Sequence, residues 1–457
     1  MKNIFILFLL GPVLVFQFSC TKDFLDTSPD KSLIVPQKIS EFQALLDNDL
    51  MYNKTPGITE AGTDDYYMNY ATWQAARVIL RNGFIWKPDI FEGAASTEWS
   101  SPYQQVYYAN VVLDGLQHIE RTSNNTSDID RLRGSALFYR AFAFYNLLQV
   151  FAPAYVKDSA LFLPGIPLRT DALPGTISQR ATLEESYQQI ITDLLEGIKV
   201  LPSTINPALP NRPTRPATFA MLARVFLVMN DYEKASAYAD SSLQAYTALL
   251  DYNSLILATN LPFSTIVNPE VLYQSYQLNY GFFTAATAII DSNLYASYAN
   301  NDLRKQVFFR NNASTGTYFF KGTYVGNNTI LFGGLATDEV YLIRAECNAR
   351  LGKTQAAMSD LNTLVAKRWK TGTFVALTAV NPDDALQKIL TERRKELCFR
   401  GLRWTDLKRL NKETRFAKTI TRILNGQVYS IAPNDPKYIY PIPDNEIQLS
   451  GIKQNIR

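Results

Sequence analysis

Asp64 and Asp65 stand side by side in a stretch crowded with aromatic rings. Paired carboxylates are the groups with which glycosidases cleave a sugar linkage. That chemistry needs two carboxyl groups facing each other across the bond, about 5–9 Å apart, and adjacent residues rarely do so. The one histidine, His118, lies on VVLDGLQHIE, so any Ser-His-Asp or Cys-His site would depend on it alone. The chain has no G-x-S-x-G, no phosphate-cradling glycine loop, no H-E-x-x-H and no metal-ligand spacing. No catalytic residue, cofactor or metal is therefore expected.

Binding is better served by this inventory. Aromatic faces beside a few carboxylates, amides and arginines can stack on a flat ligand face and bond to its polar rim, which suits sugar rings and, less well, peptides. Such residues concentrate in the two least helical stretches, 64–108 and 276–328. The candidate contacts are Asp64, Tyr67, Trp73, Arg77, Trp86 and Trp99 from the first, with Tyr295 and Tyr324 from the second. For any single ring, filling the core is the commoner role. Acidic loop residues such as Asp64 and Asp65 are usually solvated.

A frame must hold these loops, and the spacing of apolar residues predicts a helical one. IxxFQALLDNDL (39–50) is a first helix with Ser40 as its N-cap. Residues 51–100, punctuated by glycine, should be mostly loop. Helices follow at 103–119 and 131–151, then at 182–202, where Thr182 and Glu185 form a capping box. Residues 217–246 and 336–369 share one plan: an apolar-periodic helix, a short turn (Asn230-Asp231 or Leu351-Gly352), and a second helix with alanines such as Ala235 and Ala356 at close-packing positions. That is tetratricopeptide grammar, and about four such pairs would bury a continuous core. The run 391–410 is amphipathic and interrupted at Gly401, with charges expected to be solvated or paired opposite the apolar stripe. An insertion, 252–335, is rich in Tyr, Phe, Asn and Gly, favouring short strands and loops. The closing YIYPIPDNEIQLSGIKQN should be extended because of its prolines.

The balance of 45 Lys and Arg against 42 Asp and Glu over 457 residues is too even for a nucleic-acid binder. Residues 1–19 read as a cleavable signal peptide, with Lys2 before an apolar core too short to span a membrane. Ser19-Cys20 behind that core is the arrangement of a lipoprotein processing site, so Cys20 is expected to be lipidated and 20–35 to act as a tether. Cys347 and Cys398, each inside an apolar helical pattern, should be buried thiols.

TERRKELCFRGLRWTDLKRL (391–410) resembles the C-terminal signature of the SusD/RagB family, E-R-R-x-E-L-x-F-x-G-x-R-W-x-D-L-x-R. Phe24-Leu25-Asp26, RAFAFYNLLQVF, GIPL, the Asp302-x-Arg304 pair and the final PIPDNEI resemble that family in the same order. Departures are Cys398 in place of a small apolar residue, Ala152-Pro153 in place of glycine, and Gly451 in place of proline. The resemblance implies an N-terminal half at 36–251, the insertion, and a C-terminal half at 336–457. It also implies a surface-exposed outer-membrane lipoprotein, without catalytic activity, that serves as the lid of a SusC-like TonB-dependent transporter. The ligand so implied is an oligosaccharide or sometimes a peptide, and Asp302 with Arg304 would brace the insertion.

Overall fold

A computed structural model describes residues 36–457 apart from residues 53, 174, 265, 282–286 and 328. The signal peptide, Cys20 and the tether lie outside the described residues. Ten longer helices form the frame: α1 (Ile39–Leu46), α2 (Thr97–Gly115), α3 (Thr126–Phe151), α4 (Leu183–Val200), α5 (Arg215–Val228), α6 (Tyr232–Ala245), α7 (Thr337–Arg350), α8 (Thr354–Ala366), α9 (Pro382–Glu396) and α10 (Arg403–Leu410). From α2 to α8 each helix packs on the next, and α9 closes the stack against α7 and α8. Strands are short and come in two-stranded pairs. The architecture is mainly α, a tetratricopeptide-like stack carrying a loop-rich subdomain, as the helical spacing led one to expect.

Local chemistry explains the helix ends. Thr182 and Glu185 form the capping box that opens α4. The turn from α5 to α6 passes through Asn230 at φ +60°, and the turn from α7 to α8 through Gly352 at φ +78°, where glycine adopts the left-handed backbone without a Cβ penalty. Ala235 is fully buried at a helix crossing; in the second hairpin Ala357 takes that place, and Ala356 faces out. Helix α3 is buried almost from end to end because α1, α2 and α4 cover it on different sides. Cys347 and Cys398 are buried free thiols.

Four elements differ from expectation. Helix α1 stops at Leu46, and its N-cap is Lys38. Residues 49–84 hold four short helices, Asp49–Tyr52, Ile58–Ala61, Tyr70–Ala75 and Val78–Phe84, too brief for a periodic signal to register. A hairpin of strands Ile420–Leu424 and Gln427–Ile431 turns at Asn425-Gly426, both at positive φ, and belongs to the dipeptides that favour such turns. The C-terminal segment contains a helix, Asp444–Ser450, which starts immediately after Pro443; proline there blocks no intrahelical bond.

The run 391–410 is two helices joined by a tight turn, with Phe399 at φ +60° and Gly401 at φ +74°. Its charges are not solvated. Arg393, Lys395, Glu396, Arg400, Asp406 and Arg409 are all buried. Arg409 binds both oxygens of Glu346 on α7, and Asp406 bridges Arg393 and Arg409 at 2.8 Å each. Arg304 is fully buried and forks to Asp302, Glu392 and Glu396, while Arg368 joins Glu396 to Glu270. The Asp302–Arg304 pair thus ties the insertion to α9. Burying ions at this density is tolerable only because each has a partner at hydrogen-bond distance.

Candidate functional site

Two short strands bring the first aromatic stretch against the insertion. Tyr66–Tyr67 pairs antiparallel with Ile289–Ile290, and Asp291 N–H donates to the Asp65 carbonyl at 2.9 Å. This junction opens into a cleft of about 410 Å³, walled by Asp64, Tyr67, Asp291, Asn293, Lys418 and the 420–424 strand. Tyr67 is 43% exposed, the most open of the predicted aromatic contacts. Two residues beyond Asn293, Tyr295 stacks on Tyr318 with centroids 3.6 Å apart, and the Lys305 ammonium lies 4.9 Å from its ring. Exposed Tyr70 stacks on half-buried Trp73, whose Nε1 donates to the Arg81 carbonyl.

The remaining predicted residues serve other ends. Asp64 lines the cleft, but its carboxylate accepts Arg403 at 2.7 and 2.9 Å and Lys418 at 2.6 Å, with Arg394 at 3.3 Å. Burial works to raise this carboxyl, yet Arg403, Arg394 and Lys418 outweigh it and hold it well below the usual range. Asp65 is buried beside it and accepts Arg394 at 2.9 Å; burial wins there and its pKa is raised. The two aspartates fasten the loop to the 394–403 turn rather than facing each other across a gap.

Trp86 is not available to a ligand. It is 1% exposed, donates Nε1–H to the Gly62 carbonyl, and forms with Phe84 an aromatic bed under the Arg422 guanidinium. Among the described residues Arg422 has no carboxylate partner; at the floor of the cleft it donates to the carbonyls of Ala61, Thr63 and Phe84. Burial pushes its pKa down to about 10. Tyr324 is likewise interior, with its hydroxyl on Glu270 at 2.6 Å and Asp338 at 3.2 Å. Trp99 is buried against Phe151 and Tyr103 and faces a separate groove on α2. Arg77 is exposed and stands at the N-cap of the Val78–Phe84 helix. A ring that looks like a ligand contact in sequence is therefore, in three of these cases, a buried ring, and in Trp86 and Tyr324 its polar tip is satisfied inside. His118 is exposed at the far end of α2.

Sequence reasoning missed Asp291, Asn293, Lys418 and the 420–424 strand. Only Asp291 carried a local signal: it precedes Ser292-Asn293-Leu294 and caps their helix by accepting from Leu294 N–H. Among the described residues no cluster of three or more His, Cys, Asp or Glu side chains is suited to a metal. No helix among them is long and apolar enough to cross a membrane.

The fold and cleft define a tetratricopeptide-like scaffold with a loop-built, ring-edged surface site. Two family models match this chain. One, described as starch-binding associating with outer membrane and SusD-like, matches residues 23–227; the other, the SusD family, matches residues 335–456. The chain belongs to the SusD family, a carbohydrate-binding family of outer-membrane-associated lipoproteins. It is 24% identical to SusD-like protein P2 of Formosa agariphila, over 78% of each chain. A SusD superfamily protein from Bacteroides vulgatus superposes with a TM-score of 0.76 at 21% identity, covering 92% of this chain and 99% of that one. A laminarin-binding SusD-like protein superposes with a TM-score of 0.66 at 19% identity, covering 91% and 98%.

Proposed function

We propose that this protein is a cell-surface lipoprotein that captures an oligosaccharide and presents it, as a lid, to a SusC-like TonB-dependent transporter, without cleaving it. The cleft between the Tyr66–Tyr67 strand and the insertion carries this reading. There an exposed ring, an amide, a carboxylate and an ammonium converge on about 410 Å³, room enough for a few sugar units. The contact set is Tyr67, Asp291, Asn293 and Lys418, with Tyr295 close by. The likeness to a laminarin-binding SusD-like protein supports a glycan over a peptide. Asp64 and Asp65 are both engaged by arginines, which speaks against hydrolysis by that pair.

Calorimetry of the protein lacking residues 1–20 against laminari- and malto-oligosaccharides tests the reading. Binding of one series without turnover is expected, with Tyr67→Ala weakening it about fivefold or more, since a stacked ring contributes roughly 1 kcal/mol beyond its area. Binding of peptides alone would favour a peptide-uptake lipoprotein, and release of shortened sugars a hydrolase. Mass spectrometry of the mature protein checks lipid on Cys20, and co-purification with a transporter of the SusC kind checks the partner.

A further inference from the structure

Behind the turn that joins α9 to α10, five segments meet around a buried polar cavity of about 30 Å³. Thr55 comes from the loop before Ile58–Ala61, Tyr145 and Asn146 from α3, Arg224 from α5, Gln277 from the insertion, and Arg400 from the turn itself. Each of these side chains is more than nine-tenths buried. Five of them bring unpartnered polar atoms: Thr55 Oγ1, Tyr145 OH, Asn146 Nδ2, Gln277 Oε1, and both Nε and Nη2 of Arg400 have no hydrogen-bond partner among the described residues. Single orphaned atoms are scattered through any protein. Several on residues that line one small cavity call for an occupant.

The chemistry of that occupant follows from the donor count. Arg400 uses only Nη1, on Asp338 at 3.1 Å, and Arg224 is engaged by Glu339 and the Gly334 carbonyl. Gln277 Nε2 donates to the carbonyls of Phe332 and Phe399, which fixes Oε1 as the acceptor. Glu60 lies beside Gln277, and burial pushes its pKa up to about 8. What remains is three guanidinium or amide N–H groups and two hydroxyls, bordered by two guanidinium groups. The hydroxyl oxygens and Gln277 Oε1 can accept from a water, so it is the excess of N–H donors beside two guanidinium groups, rather than a lack of acceptors, that favours an anion. The volume admits about two water-sized spheres, too little for a carboxylate, phosphate or sulfate.

We propose that this cavity is a binding site for one monatomic anion of the halide class, chloride in its ordinary setting, held by Arg400 Nε and Nη2, Asn146 Nδ2 and the hydroxyls of Thr55 and Tyr145. Its place is structural. It links the loop before the cleft, two scaffold helices, the insertion and the signature turn, and shares no lining residue with the proposed glycan cleft.

Crystals of the mature protein grown in sodium bromide, with anomalous data at the bromine edge, give the first test. A bromine peak in the cavity is expected for the wild type, and none for Asn146→Asp, whose carboxylate repels the ion. In solution, the melting temperature is followed in sodium chloride against sodium isethionate at equal ionic strength. Chloride should add a saturable rise on the order of 3 °C at a hundredfold excess over its Kd. Isethionate is too large to enter and should not. A cavity filled by water without a bromine peak overturns the proposal, and so does a bromine peak accompanied by equal effects of the two salts, which would be binding at crystal concentration only. Should Asn146→Asp fail to fold, the two wild-type measurements decide alone, and neither depends on glycan binding.

Discussion

Replacing Arg304 by methionine removes the most heavily engaged buried cation in the insertion. Its guanidinium is fully buried and meets Asp302 at 2.9 and 2.7 Å, Glu392 at 2.5 Å and Glu396 at 2.9 Å. Methionine fills similar volume but leaves three carboxylates short of a partner, two of them fully buried. Lys395 still reaches Asp302 at 3.0 Å and Glu392 at 2.8 Å, and Arg368 still reaches Glu396 at 2.8 Å, so none becomes wholly bare. Breaking a buried pair costs about 3–5 kcal/mol, and this residual support places the change within that range rather than at a multiple of it. An unfolding entropy of about 2.1 cal/mol/K per residue over about 420 ordered residues gives about 0.9 kcal/mol/K, hence a melting temperature lower by roughly 3–6 °C. Burial opposes ionisation of Asp302 and Glu392, but their cations prevail and both pKa values are lowered. A carboxylate depressed in the folded state stabilises above its unfolded pKa, and that contribution is lost as pH falls through the folded value. The gap between wild type and variant should therefore narrow below about pH 4. Arg304→Lys, which keeps the charge but loses the fork, should fall between them. Scanning calorimetry across pH reads all three. A variant melting within 1 °C of wild type at pH 7 would refute the claim that this cation holds the insertion to α9.

Trp86→Phe should lower the melting temperature, since it strips the donor to the Gly62 carbonyl and part of the bed beneath Arg422, yet glycan affinity by calorimetry should stay within about twofold. Glu60→Gln probes the opposite sign of linkage. Burial raises its pKa to about 8 in the folded state, so its folded form is favoured fully below the ordinary carboxylate value and progressively less as pH rises towards 8. The variant should flatten the decline in stability between about pH 5 and 8, and an unchanged pH profile would count against a protonated Glu60. Cys347 and Cys398, buried and with thiol pKa values pushed far up by burial, should resist a thiol-reactive chromophore until urea unfolds the chain.

The frame was legible in sequence because helices on this scale write themselves in apolar spacing and in caps such as Thr182 with Glu185. The candidate cleft was less so. Trp86, Trp99 and Tyr324 share composition and neighbourhood with Tyr67, and only the third dimension separates a ring over Arg422 from a ring over solvent. Lys418 and the 420–424 strand reach the cleft from more than 350 positions away, a distance no local pattern spans. The buried charges were missed for a related reason. Solvated faces are the usual home of arginine and glutamate, and the partners that make Arg368 and Arg409 tolerable in the interior sit on other elements.

One feature of the cleft bears on how the molecule comes into being. The Asp64–Asp65 loop is held by Arg394 and Arg403, some 330 positions further along the chain. A ribosome makes the anchored half first and its anchors almost last, so a nascent polypeptide ending short of residue 403 carries these acids without their counterions. This wall of the cleft can therefore take its final form only once residues 394–403 have been made.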